Sequence, residues 1–139
     1  MVSDCLTRAM ADMDPDALWA ALGESAASDE DSIPALIELL SQSWHQCHED
    51  IAQSLQRAKD PRAADVLAEA ALTRFDYLDD RGDSHPFARK CIWALADIGN
   101  SVAREHLERL SQVEDTEIAS YAQRRLDRWA REQDRKGAI

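Results

Sequence analysis

Ile51-Ala-Gln-Ser-Leu-Gln-Arg-Ala-Lys-Asp-Pro-Arg-Ala-Ala-Asp-Val-Leu67 lies over Cys91-Ile-Trp-Ala-Leu-Ala-Asp-Ile-Gly-Asn-Ser-Val-Ala-Arg-Glu-His-Leu107 when the chain is shifted on itself by 40 positions. Leu55 then meets Leu95, Ala58 meets Ile98, Asp60 meets Asn100, Ala63 meets Ala103 and Leu67 meets Leu107. A further shift of 31 sets Ala88 on Ala119, Cys91 on Ala122 and Leu95 on Leu126. The unit is a helix pair of about 31 residues, and the first spacing is nine longer because of an insertion at 76–85. Helical hairpins that bury their apolar stripes only against their neighbours need this equal spacing of caps and core positions. The expected fold is all-α: antiparallel helix pairs stacked into an α-solenoid.

Working outward, the helix ends are marked by capping residues. Asp14-Pro15 and Asp60-Pro61 pair a side-chain acceptor with a proline whose missing N–H the first turn does not need. Pro34 and Pro86 belong to first turns as well, Gly99 is a stop, and Asn100-Ser101 and Asp115-Thr116 open new helices. The expected helices run over about 3–12, 15–27, 33–43, 46–58, 61–73, 86–98, 101–112 and 116–132. The segment 76–85, Asp-Tyr-Leu-Asp-Asp-Arg-Gly-Asp-Ser-His, reads as a long acidic connection. No stretch sustains the period-two alternation of a strand.

The chain has 139 residues, 45% of them hydrophobic, and reads as a single domain over 1–139. Net charge is -11, and its distribution matters more than its sum. Residues 1–50 hold eleven acids and one base, whereas residues 51–139 hold sixteen acids and fifteen bases. Such a field disfavours nucleic acid and favours a basic protein partner. Cys5, Cys47 and Cys91 form an odd set without CxxC spacing, which points to a reduced, cytoplasmic setting, with Cys91 in the core. No apolar run has the length to span a bilayer, and acids at Asp4, Asp12, Asp14 and Asp16 argue against a signal peptide.

Ala88-Arg-Lys-Cys-Ile-Trp-Ala-Leu-Ala-Asp-Ile-Gly99, followed by Ala103, Leu107 and Leu110, resembles the HEAT repeat in its short, phycobilisome-lyase-like form. The resemblance covers about 33–132. It leaves the acidic helices of 1–32 outside the repeats and 133–139 as a tail. A narrower resemblance joins Trp44-His-Gln-Cys-His-Glu-Asp-Ile51, Lys59-Asp-Pro61, Phe75-Asp-Tyr-Leu78, the 88–99 block, Ile118-Ala-Ser-Tyr-Ala122 and Arg125-Leu126. Together these look like small bacterial HEAT-repeat proteins found beside polymorphic contact-dependent toxins and regarded as immunity proteins. The resemblance implies an inhibitor that binds and neutralises one cognate toxin domain. The alternative it leaves open is a HEAT-like lyase or chaperone-type scaffold for a cofactor-bearing partner.

Catalytic readings are weaker. His45 and His48 share a helix face beside Glu49, but His-x-x-His-Glu is neither HExxH nor HxxEH, and His48 continues the core stripe of Ile51 and Leu55. The expectation is no metal and no cofactor. HEAT-repeat deoxyhypusine hydroxylases hold iron with repeated His-Glu pairs. The repeat positions equivalent to His48-Glu49 are Ala88-Arg89 and Ala119-Ser120, which cannot ligate iron. HEAT-like DNA glycosylases need a basic track, and Arg89, Lys90, Arg124, Arg125 and Arg128 stand against the overall charge of -11. No phosphate loop or nucleophile motif occurs, so the chain is expected not to be an enzyme.

A binding surface is what remains. Residues between the core stripes face outward: Glu49, Asp50 and Gln53 on one helix, Arg89, Lys90 and Trp93 on the next, Ser120, Tyr121 and Arg124 on the last. The repeat shifts align Gln53, Trp93 and Arg124 in one row. Trp93 leaves the stripe of Ala88, Ile92 and Leu95, as an interface anchor would. Asp76, Tyr77, Asp79 and Asp80 of the insertion are expected at the same rim, ready for basic groups of a toxin. The expected partner is a toxin protein domain, with no nucleic acid and no membrane, and the oligomeric state is left open.

Overall fold

Residues 4–24 and 32–137 are described in the computed structural model, and all regular structure among them is helical. The helices are α1 (Asp4–Asp12), α2 (Pro15–Glu24), α3 (Ile33–Leu40), α4 (His48–Ala58), α5 (Ala64–Leu72), α6 (Asp76–Arg81), α7 (Ser84–Ile98), α8 (Ser101–Leu110) and α9 (Thr116–Gly137). A 3-10 turn, Pro61–Ala63, leads into α5.

The caps act as their chemistry requires. The Asp14 carboxylate accepts from the backbone N–H of Asp16 and Ala17 at 3.1 and 3.2 Å. Asp60 accepts from Arg62 N–H at 2.9 Å and Asn100 from Ala103 N–H at 2.8 Å. Asp115 accepts from Glu117 and Ile118 N–H at 3.0 and 3.1 Å, opening α9. Each satisfies amides that the first turn leaves without an intrahelical partner.

The two shifts that align the sequence also align burial. Ile51, Ala52 and Leu55 on α4 match Cys91, Ile92 and Leu95 on α7, and all six are fully buried. Ala63 and Leu67 match Ala103 and Leu107 in the same way. The 31-residue shift carries buried Phe87 and Cys91 onto buried Ile118 and Ala122 of α9, while Leu126 is half-buried. Packing follows suit: α7 lies against α4, α5, α8 and α9, and α5 and α8 lie against each other. Leu6, Ala9, Leu18 and Ala21 of α1 and α2 join the same hydrophobic cluster as Phe87 and Leu95, so the acidic N-terminal helices share the core. Burying Phe87, fully enclosed, is worth about 2–3 kcal/mol.

The segment 76–85 corrects the expectation of an irregular connection. It folds into α6, a left-handed Gly82 stop at φ 76°, and the first two residues of α7. Leu78, buried completely, explains why: it ties the short helix to the core. Other boundaries shift too. The chain leaves α3 after Leu40, resumes helix at His48, starts α7 at Ser84 and continues α9 to Gly137. The expected extension of the second helix over 25–27, and residues 1–3, 138 and 139, lie outside the described residues. Among the described residues, no helix is long and apolar enough to cross a membrane.

Candidate functional site

The middle of α7 carries the site. Trp93 sits between Ile92 and Ala94, both fully buried, yet is itself 42% exposed. One turn earlier, Arg89 lays its guanidinium 5.4 Å from the Trp93 ring centre and 6.0 Å from that of Tyr121 on α9. Spacings of three and four residues bring Tyr121, Arg124, Arg125 and Arg128 to one side of α9. The result is a cleft of about 200 Å³ lined by Arg89, Trp93, Tyr121, Arg124, Arg125 and Arg128. Arg125 forms its inner wall, 17% exposed, with Nη2 3.5 Å from Asp97, whose other oxygen accepts from Gln56 Nε2 at 2.9 Å. The cleft is thus cationic and aromatic in a strongly acidic chain.

Gln53 on α4, Trp93 on α7 and Arg124 on α9 are all exposed, and α7 packs directly on both of the other helices. Asp50 is exposed, and Glu49 is half-buried with an oxygen 3.6 Å from Lys90 Nζ.

Of the α6 residues expected at the rim, Asp76 and Asp80 are exposed, whereas Tyr77 and Asp79 are engaged within the chain. Tyr77 is half-buried. Its hydroxyl accepts from His48 N–H at 3.3 Å and donates to His48 Nδ1 at 2.8 Å. The other ring nitrogen, Nε2, donates to the Gln42 carbonyl at 2.6 Å. His45, stacked on His48 at 4.2 Å, accepts from Cys47 N–H at 3.0 Å and donates to the Leu39 carbonyl at 2.8 Å. Both imidazoles are held neutral, with no lone pair left over for a metal in this arrangement. Burial, with a smaller push from His45, lowers the His48 pKa to about 4, and burial raises Tyr77 to about 12. His48 is therefore a core histidine at the start of α4. Asp79 accepts from Ser84 Oγ and pairs with Arg74 at 3.0 Å, so its carboxyl titrates below the usual range, chiefly through Ser84. Asp76 and Asp80 line an open cleft of about 610 Å³ with Trp44, His45 and Arg74.

A third depression, about 290 Å³ between α5 and α8, is lined by Leu72, Leu110 and Val113 with His106, Asp65 and Arg109. Arg109 Nη2 donates to His106 Nδ1 at 2.9 Å while Nε2–H donates to Asp65 at 2.7 Å, a closed set.

Sequence reasoning selected Arg89, Trp93 and Arg124 but left Tyr121, Arg125 and Arg128 out of the chosen site. Their i, i+3/i+4, i+7 spacing was the available signal. The Tyr77–His48 link had none, because its partners lie 29 residues apart. No protein-family model, no curated protein and no solved structure matches this chain.

Proposed function

We propose that the chain is a HEAT-like binding module, an immunity protein that neutralises a cognate toxin domain through the α4–α7–α9 face. The observation that carries the reading is Trp93: a large aromatic, 42% exposed, in the helix that packs against α4, α5, α6, α8 and α9. Exposed tryptophans ringed by arginine are the residue types that dominate interface energetics. The repeated caps and repeated burial support stacked antiparallel helix pairs as the scaffold. Closed hydrogen-bond sets around His45, His48 and His106 leave no poised base among them, which favours binding over turnover.

The test is co-expression with the C-terminal domain of a toxin encoded beside this chain, followed by copurification. A stable complex that fails to form with Trp93→Ala is the expected result. Absence of any complex, or one indifferent to Trp93→Ala, overturns the reading.

A further inference from the structure

The chain carries 27 acids and 16 lysines and arginines, so an arginine has carboxylates in easy supply. Most arginines with a described partner use them: Arg62 pairs with Asp60, Arg74 with Asp79, Arg104 with Glu108 and Arg125 with Asp97. Arg89 and Arg124 depart from this. Both line the α7–α9 cleft, both are exposed, and among the described residues neither has a carboxylate within ion-pair distance. Arg89 instead lies over two rings, 5.4 Å from the centre of Trp93 and 6.0 Å from that of Tyr121. Stacking on aromatic faces leaves a guanidinium edge and its N–H donors available for a planar anion. Arg125 completes the wall, paired to Asp97 through Nη2, with its Nε buried and without a hydrogen-bond partner.

We infer that this cleft receives the carboxylate of an acidic segment of the protein partner, an Asp or Glu side chain held by Arg89 and Arg124 over the Trp93–Tyr121 rings. The inference rests on the binding-module reading and names the chemistry of what binds. It also reverses the polarity expected of the surface, because the part around Trp93 selects for acid. A cleft of about 200 Å³ suits one side chain. The net charge of -11 repels a long polyanion far more than a single carboxylate carried by a neutral or mixed-charge surface, which favours a protein over nucleic acid.

The experiment uses the intact chain and a fluorescein-labelled, C-terminally amidated octapeptide of Gly and Ser with one central glutamate, read by anisotropy at low salt, with labelled octathymidylate as the polyanion comparison. Saturable peptide binding is expected. It should weaken by about tenfold or more in Arg89→Gln/Arg124→Gln and be unchanged in Arg57→Gln, an exposed arginine of α4 outside the cleft. Arg124→Gln alone, on the exposed side of α9, serves if the double variant loses its helical circular dichroism. The inference is overturned if the peptide does not bind, if the cleft variants bind it as well as the parent does, or if octathymidylate binds more tightly and loses affinity in the same variants. The outcome is separable from the toxin reading. Copurification that needs Trp93 but not Arg89 and Arg124 sinks only the carboxylate, and peptide binding without copurification sinks only the toxin.

Discussion

Lys59 and Gly99, forty positions apart, end α4 and α7 in the same left-handed conformation, with φ of 54° and 71°. In each, the cap N–H bonds back to the helix carbonyl four residues earlier, Leu55 and Leu95. The next residues, Asp60 and Asn100, are both extended and both cap the following turn. One junction uses the residue that tolerates positive φ, while the other uses a β-carbon-bearing residue that does not. Lys59→Gly should therefore stabilise the fold by about 0.5–1 kcal/mol, and Gly99→Ala should destabilise it by about 1 kcal/mol. Paired urea titrations check this: midpoints should move in opposite directions with unchanged slope.

The Tyr77 hydroxyl closes the hydrogen bonding of a fully buried histidine. Tyr77→Phe removes the donor to His48 Nδ1 and the acceptor of its N–H. Leaving buried polar atoms without partners should cost about 1–3 kcal/mol, read as a lower denaturation midpoint.

The same histidine makes the fold acid-sensitive. The unfolded chain protonates His48 near its ordinary pKa of 6.5, but the folded chain resists until about 4. Stability is then fully present above pH 6.5 and falls as pH drops from 6.5 towards 4, by up to about 3 kcal/mol. His45, lowered by burial, acts in the same direction. Denaturation midpoints measured across this window should decline, and a flat profile would contradict a neutral buried His48.

Trp93→Ala should leave the helical circular dichroism intact and cost at most about 2 kcal/mol of stability, because much of the ring is already in water. Against the partner, the loss should be about 2–4 kcal/mol, roughly thirty- to a thousandfold in affinity. Calorimetry on the purified complex separates the two effects.

The thiols should divide sharply. Cys5 is exposed, whereas Cys47 and Cys91 are buried free cysteines whose thiols burial pushes up. A chromogenic disulfide reagent should titrate Cys5 quickly in the native chain and the other two only after denaturant is added.

Local chemistry made the helical class, the helix starts and the forty-residue correspondence legible before any coordinates. Capping residues act on amides two or three positions away, and a core stripe repeats every three or four residues, so both are written in short windows. Asp14, Asp60, Asn100 and Asp115 cap as their neighbours require. Leu55, Leu95, Ala63 and Ala103 are buried as their spacing requires. The 76–85 segment misled for the same reason: its acids and Gly82 are loop signals, and only the core position that takes Leu78 turns it into a helix.

Tertiary packing alone decided the sign and shape of the surface. Whether Asp79 is a free rim charge depends on Arg74, just before α6, and on Ser84, set beside it by the Gly82 turn into α7. Tyr77 became a pin because α6 lands beside the start of α4. Arg89 reaches Tyr121 only because α9 packs on α7, placing residues 32 positions apart 6.0 Å from guanidinium carbon to ring centre, while its contact with Trp93 is local to α7. Net charge sums over the chain regardless of position, so it reports an acidic protein. A cleft's polarity is set by the few side chains that packing brings together, and here those are arginines.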